Sequence, residues 1–567
     1  MSTFSTTDFV LLGLYALLLV LLGASGYRRG DSPRGYFLGG RRAGWFTVGV
    51  SMVVSLASSL GFVAVPAAAH QSGVIMLWSL LALPLVYPLI TRVFIPFYQR
   101  LDVLTAYEYL ERRFDRRVRC FASGLFIAWR LTWMAAILYV PAMALDVVSG
   151  GALRIPVSVL ALAAIATTYT LLGGMRGIFW ADAAQGVLMY GSILAVIAAI
   201  THSQPGGLDA LWTLAADRLQ PFAAAPGWAD ATWIERLHYY LYTDFTALAI
   251  IVSFTVGKLG NYGADQLMIQ RYLSARSESA ARRGFLFNCV LFAVFFTLMT
   301  AAGLALAVFS AQASFPTGLK ADAVFPHYVA HHAPRGLAGL MMAGLIAAAL
   351  SSFDSGIHAC ATALATDFGM RNAEAGRTVG GEFRGENTKP RTGSSQTTLG
   401  VRLMTLAFGV LAAVLGCFIG HMGDVFEIAL RLVNSFIGPL LALFLLALFT
   451  RHATARGVLL GSSLGAAFTA LLVLAGPLSV AGVSSPVPSL RLLLNALDIG
   501  FLWVAPAGLL FSLAAGYTAS LFFTPDPGAQ CWTLRALLPG SGGVPHPPRG
   551  DSRATLSGVW QPPSSHV

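Results

Sequence analysis

The chain is predicted to be an all-α polytopic membrane protein of about thirteen transmembrane helices, and three observations carry that class. Of its 567 residues, 56% are hydrophobic and only 11% are charged, with a mean hydropathy of +0.68, which is more apolar surface than a soluble core can hide. The apolar residues fall into runs of about 20 or more, the length at which a helix crosses a bilayer. The charges sit in short segments between those runs. That placement, and not the net charge of +11, decides the class and argues against nucleic acid as a partner.

Taken in order, the runs cover residues 8–27, 45–69, 75–98, 119–148, 155–172, 178–201, 239–263, 284–310, 335–364, 399–421, 426–450, 455–476 and 498–523. The first lacks a basic leader and a small-residue cleavage signal, so it is expected to be a retained span. Cys120, Cys289, Cys360, Cys417 and Cys531 are scattered, with no spacing that suggests a metal cluster or a disulfide framework.

Loops kept in the cytoplasm are enriched in Lys and Arg. With the N-terminus outside, the inner segments hold twenty-seven such residues, in clusters such as Arg112, Arg113, Arg116, Arg117 and Arg119, or Arg271, Arg276, Arg282 and Arg283. The outer segments hold six: Arg154, Arg218, Arg236, Lys320, Arg335 and Arg491. N-outside and C-inside is the expected orientation. The outer loop 202–238 is rich in Pro, Gly and Trp and is expected to carry an amphipathic helix around Leu208 to Leu219. The inner segment 371–398 and the tail 524–567 are polar or Pro- and Gly-rich and are expected to be flexible. So short a tail argues against a membrane-embedded sensor.

Spans two to six and seven to eleven form two groups of five. Five is odd, so the second group enters the membrane from the opposite side, giving the inverted repeats of many secondary transporters. The expected organisation is therefore 1–44, a first helix and inner loop; 45–201, the first repeat; 202–238, the outer loop; 239–450, the second repeat; 451–523, two additional helices; and 524–567, the tail. Such folds interrupt the first helix of each repeat, where freed backbone groups bind ion and substrate. The second span carries Ser55, Ser58, Ser59, Gly61 and Pro66 in its middle and outer half, and the seventh carries Gly257, Lys258, Gly260, Asn261 and Gly263. Both are expected to break there, although Gly and Pro are also common in unbroken membrane helices.

A further stretch, GLMMAGLIAAALSSFDSG from Gly339, turns from apolar to polar at Ser351, Ser352 and Asp354. Hydroxyls and carboxylates in hydrocarbon need a partner: another helix, water or an ion. Serines can also bond back to a carbonyl one turn earlier, and small residues let helices pack closely.

Four blocks carry a resemblance to a known family: GGRRAGWFTVGVSMVVSLASSLGFVAVPA from Gly39, YTLLGGMRGIFWADAAQG from Tyr169, DQLMIQRYLSARSESAARRG from Asp265, and AGLIAAALSSFDSG. With them the chain resembles the sodium/solute symporter family, whose members have the leucine-transporter-like fold of two inverted five-helix repeats. The resemblance implies a sodium site built from the carbonyls of Val54, Ala57 and Ala348 and the hydroxyls of Ser351 and Ser352. Several neutral oxygens suit a hard monovalent cation that must also be released. It also implies that Asp182 helps sodium leave toward the cytoplasm, the alternative being an interfacial acid paired with a loop arginine. Asp354 and His358, four apart on one helix face, are candidates for a proton-sensitive pair or for structural hydrogen bonds.

The solute in such a fold sits between the two broken helices, where Ser58, Ser59, Phe62, Lys258 and Asn261 are the candidate contacts. Leu60 and Gly61 stand where the family's sugar transporters carry polar side chains, which argues against a galactose-like polyol. A lysine at the depth of Lys258 is expensive unless something anionic meets it; the alternatives are a protein acid or snorkelling to water. Arg130 is a second cation at membrane depth that could face the cavity, and Glu427 with Arg431 reads as a structural ion pair.

The expected function is sodium-coupled import of a small organic solute, an anion or zwitterion such as a monocarboxylate or amino acid. The alternatives are proton coupling through Asp354, His358 or Asp182, and a polytopic membrane enzyme. No HExxH, CxxC pair or GxSxG is present to supply enzyme chemistry. The expected partners are the solute, the coupling sodium ion and membrane lipid, with the protein a monomer or weak homo-oligomer. Its Arg-over-Lys and Ala-rich usage points to a bacterial inner membrane.

Overall fold

A computed structural model describes residues 4–27, 33–101, 103–203, 232–243, 246–312, 321–369, 394–419, 425–480, 499–525 and 532–534, with a few isolated positions such as Phe315. Its helices are α1 Thr6–Ser25, α2 Pro33–Leu38, α3 Trp45–Leu56, α4 Ser59–Ser72, α5 Ala82–Leu89, α6 Ile95–Arg100, α7 Tyr107–Arg113, α8 Arg116–Val148 and α9 Ile155–Ser203. There follow α10 Trp233–Tyr242, α11 Ala247–Gly263, α12 Gln266–Ser274, α13 Glu278–Gln312, α14 Ala321–His331, α15 Leu337–Leu364, α16 Ser394–Ile419, α17 Val425–Phe449, α18 Ala455–Val480 and α19 Val504–Ser520.

Helices dominate because backbone polar groups in hydrocarbon must be satisfied within their own segment. Several helix starts are closed by a side chain. Asp115 accepts from Val118 N–H to start α8, and Asp265 from Leu267 N–H to start α12. Asp8, in the first turn of α1, is fully buried and accepts from the N–H groups of Gly336 and Gly339, so it caps the start of α15 from another helix.

Among the described residues nine helical stretches are long and apolar enough to cross a membrane, or ten if α10 and α11, bent by 49°, count as one span. The sequence expectation of about thirteen differs because two of these stretches are each divided in it and α17 is added. One is Ser59–Arg100, which runs from α4 through two tighter and looser turns to α6; the other is α9. In α9 the helix kinks at Gly174, the second glycine of the YTLLGG motif, with φ 52° and ψ −152°. A Cβ there would lie 2.7 Å from the Tyr36 ring, so both conformation and space require glycine.

The centre of the protein is α15, buried from Met341 to Ala363 and packed by α9, α8 and α3. Around it, α13 lies along α3 and α4, and α14 rests on α4 and α8. Leu14, Leu17 and Leu21 of α1 and Val187 and Leu194 of α9 point outward as exposed apolar surface, the pattern of side chains that face lipid. The expected helix around 208–219, most of the 371–398 segment and the tail beyond 534 lie outside the described residues, as do the side chains of Glu427 and Arg431 and all of Cys531.

The second span breaks as expected, with α3 ending at Leu56 and Ser58 capping α4. The seventh does not break where its glycines suggested. α11 continues through Gly257 and Gly260 to Gly263, and the interruption falls at Ala264 and Asp265. Gly260 serves packing instead: a Cβ there would come within 2.4 Å of Ile437 on α17. The chain can stop at Asp265 because its carboxylate supplies the cap that the next helix needs.

Candidate functional site

The break in the second span frees carbonyls. In a continuous helix the Val54 carbonyl would accept from Ser58 N–H, but that N–H turns to Leu56 O at 3.0 Å. Ala57 adopts φ −80° and ψ 78°, outside the helical region. Into this gap α15 projects two hydroxyls: Ser351 Oγ lies 3.0 Å from Val54 O and 3.3 Å from Ala348 O, and Ser352 Oγ lies 2.9 Å from Ser55 O. Ser351, Ser352 and Ala348 are fully buried. The structure thus brings together Val54, Ala348, Ser351 and Ser352, adds the Ser55 carbonyl, and leaves Ala57 at the break itself. The donor set is hard, neutral and oxygen-only, which fits a monovalent cation and offers nothing to a soft metal.

Directly beside it runs a charged network. Arg271 of α12 donates through Nε to Ser51 Oγ (2.8 Å), through Nη1 to Leu267 O (2.7 Å) and through Nη2 to Ser355 (2.6 Å) and Ser55. Asp182 of α9 accepts from Ser51 and lies 3.5 Å from Arg271 Nη2, while its other oxygen has no hydrogen-bond partner among the described residues. Tyr169 donates to Asp354 Oδ2 (2.7 Å), and Ser355 to Asp354 Oδ1 (2.9 Å). Asp182 therefore pairs with an arginine, but deep in the protein and not at a loop. His358 faces Gln270 (3.3 Å) and the Tyr36 carbonyl (3.3 Å), so Asp354 and His358 each have their own partners and no bond joins them.

The solute candidates divide. Phe62 sits against Phe295 of α13 (6.3 Å) and Phe325 of α14 (5.7 Å). Lys258 Nζ lies 3.4 Å from the centre of the Phe292 ring, one helical turn from Phe295, and 5.9 Å from that of Tyr262. It is buried, and no carboxylate among the described residues pairs with it. Asn261 is half-buried on α11. Ser58 caps α4 through Gly61 N–H at 3.5 Å, and Ser59 donates to Ile137 O of α8 at 2.7 Å; both hydroxyls are spent on the backbone. Arg130 pairs with Asp265 and lies over the Trp129 ring at 4.5 Å, so this cation has an acid of its own.

The sodium:solute symporter family profile matches residues 36–465, which includes the broken span, the Arg271 network and the whole of α15. The chain belongs to the sodium:solute symporter family. This symporter is 26% identical over 463 residues to the sodium/sialic acid symporter of Proteus mirabilis, covering 81% of this chain and 88% of that protein. It is 27% identical over 530 residues to the sodium/sialic acid symporter of Aliivibrio fischeri, covering 92% and 94%. A solved structure of a Na+-coupled sialic acid symporter in a substrate-bound outward-open state superposes with a TM-score of 0.74 at 25% identity, over 92% of this chain and 99% of that one. The protein is a sodium-coupled solute transporter of the multi-pass, leucine-transporter-like class, and not an enzyme.

Sequence reading placed Arg271 among the inner-loop charges, yet in the symporter it is 1% exposed. Arg113 and Arg119 are buried as well, the first on the Ala447 and Thr450 carbonyls and the second on Glu111 and Asp367. The missed signal was local: Arg271 lies within QLMIQRYLS, a helix whose every residue is buried, and a charge so placed requires partners on neighbouring elements.

Proposed function

We propose that the protein imports an acidic organic solute, with sodium held between the broken second span and α15. The sodium ligands are the carbonyls of Val54, Ala57 and Ala348 and the hydroxyls of Ser351 and Ser352, with Asp182 on the exit side. Binding of the ion replaces the hydroxyl-to-carbonyl bonds across the break and draws α3 and α15 together. The solute then binds, and the protein reorients from outward- to inward-open. Sodium and solute favour each other because each binds the arrangement the other stabilises. The N-terminus lies outside and the C-terminus in the cytoplasm, with the domain limits expected above.

The observation that carries the substrate class is Lys258, a buried cation on α11 whose neighbours among the described residues are aromatic rings and not acids. Such a charge is costly in a membrane interior until an anion meets it, whereas Arg130 is already matched. Phe62, Lys258 and Asn261 form the solute-facing set, with Ser58 and Ser59 shaping the backbone around them. The names of the sialic acid relatives support an acidic solute.

The test is the melting temperature of the purified protein against a panel of sialic, monocarboxylic and amino acids, neutral sugars and nucleosides, in sodium and in potassium. Stabilisation by a carboxylate only in sodium, growing with concentration and lost in Lys258→Gln, is expected. A neutral sugar that stabilises equally in Lys258→Gln would refute the substrate class, and equal stabilisation in both salts would refute the sodium site.

A further inference from the structure

A cluster of imidazoles lies outside the transport site, at the end of α14. His327 and His331 are one turn apart, with ring centres separated by 4.5 Å. His332 follows the helix end, 5.8 Å from His327. Phe315 stacks on His332 (5.2 Å, 9° between planes) and meets His327 edge-on at 4.7 Å. His331 and His332 are exposed and His327 is half-buried. None of the three hydrogen-bonds or pairs with another described residue, so their ring nitrogens are unclaimed.

The spacing has a chemical meaning. With a metal–nitrogen bond of about 2.0–2.1 Å and the ring centre about 1.1 Å behind the nitrogen, two imidazoles on one ion have centres roughly 4.5–5.2 Å apart. The observed 4.5 Å falls at the short end of that range, where the two bonds meet at a right angle. No group of three His, Cys, Asp or Glu side chains among the described residues is arranged to hold a metal, so water would complete the coordination.

We propose that His327 and His331 form a two-imidazole site for a borderline divalent cation of the zinc, nickel or copper type, and that its occupancy slows transport. The coupling runs through α14. This helix rests on α4 and α8, and its Phe325 packs on Phe62 at the outer half of the broken span. An ion across residues 327 and 331 stiffens the last turn of α14, immediately before the short link into α15.

The binding arm uses the purified full chain with zinc or nickel chloride as the probe and needs no knowledge of the solute; the uptake arm uses the solute that stabilises the protein in sodium. Calorimetric titration is expected to show saturable micromolar binding, weakened roughly ten-fold or more in His327→Ala and in the exposed-site variant His331→Ala. Absence of saturable binding, or binding as tight as wild type in either variant, would overturn the site. Sodium-driven uptake in proteoliposomes is expected to fall on adding micromolar zinc and to be insensitive in His331→Ala. Uptake that ignores bound zinc would overturn the regulatory role while the titration still judges the site.

Discussion

Replacement of Ser351 by alanine removes one oxygen from the proposed ion site and affects both states of the protein. With sodium bound, the ion loses one of five ligands, an interaction of the kind worth about 1.5–3 kcal/mol when one partner is charged. Without sodium, the Val54 carbonyl loses the hydroxyl now 3.0 Å away, having already lost its helical partner at the break; that neutral bond is worth about 0.5–1.5 kcal/mol. The second loss raises the energy of the empty site and so offsets part of the first. The difference, about 1–1.5 kcal/mol, corresponds to roughly a five- to ten-fold weaker grip on sodium. Initial uptake rate against sodium concentration in proteoliposomes measures it directly. The half-saturating sodium concentration should rise by that factor in Ser351→Ala and similarly in Ser352→Ala, with the maximal rate recovered at high sodium, and rise further in the double variant. Unchanged sodium dependence in all three would refute the site and the reasoning together.

Three other outcomes are expected. Arg130→Ala leaves the buried Asp265 carboxylate without its cation, a loss of about 3–5 kcal/mol by analogy with broken buried pairs; the melting temperature should fall, and Arg130→Met combined with Asp265→Asn, which keeps the α12 cap, should recover part of it, so a double variant no better than Arg130→Ala would contradict the pairing. Gly303→Ala places a methyl 2.4 Å from the Pro66 carbonyl oxygen and 2.7 Å from Ala69 Cβ, an overpacking worth about 1–3 kcal/mol; it should push α13 off α4 and lower both thermal stability and uptake, and a variant with wild-type values in both would show the contact to be looser. Protons compete with metal for the imidazole nitrogens, so zinc inhibition should weaken on acidification; inhibition that strengthens as pH falls would contradict the two-histidine site.

Much of the transporter is decided by the chain alone. Apolar runs long enough to cross a bilayer become helices because no other local structure satisfies their backbone groups in hydrocarbon, and α1, α8 and α15 lie close to where those runs begin and end. The second span was legible as broken because Ser58 is a capping residue within a run of small and polar side chains. The hydroxyls of Ser351 and Ser352 were legible as unusual because they are two polar residues at the centre of an apolar helix.

What the tertiary structure alone decided is partnership. QLMIQRYLS reads equally as an inner loop or a buried helix; only the packing of α12 against α3 and α15 places Arg271 among Ser51, Ser55, Ser355 and Asp182. Lys258 and Arg130 look alike in sequence, as single cations at membrane depth, yet one meets aromatic rings and the other a carboxylate more than a hundred residues away. The glycines of the seventh span read as a breakpoint, but Gly260 is a contact for α17 and the interruption falls at Asp265, where a cap is available. The physical reason is the same each time. Transfer into hydrocarbon acts on every residue by itself and can be summed along the chain, whereas the partner of a buried charge or of a freed carbonyl is set by which helix lies beside it.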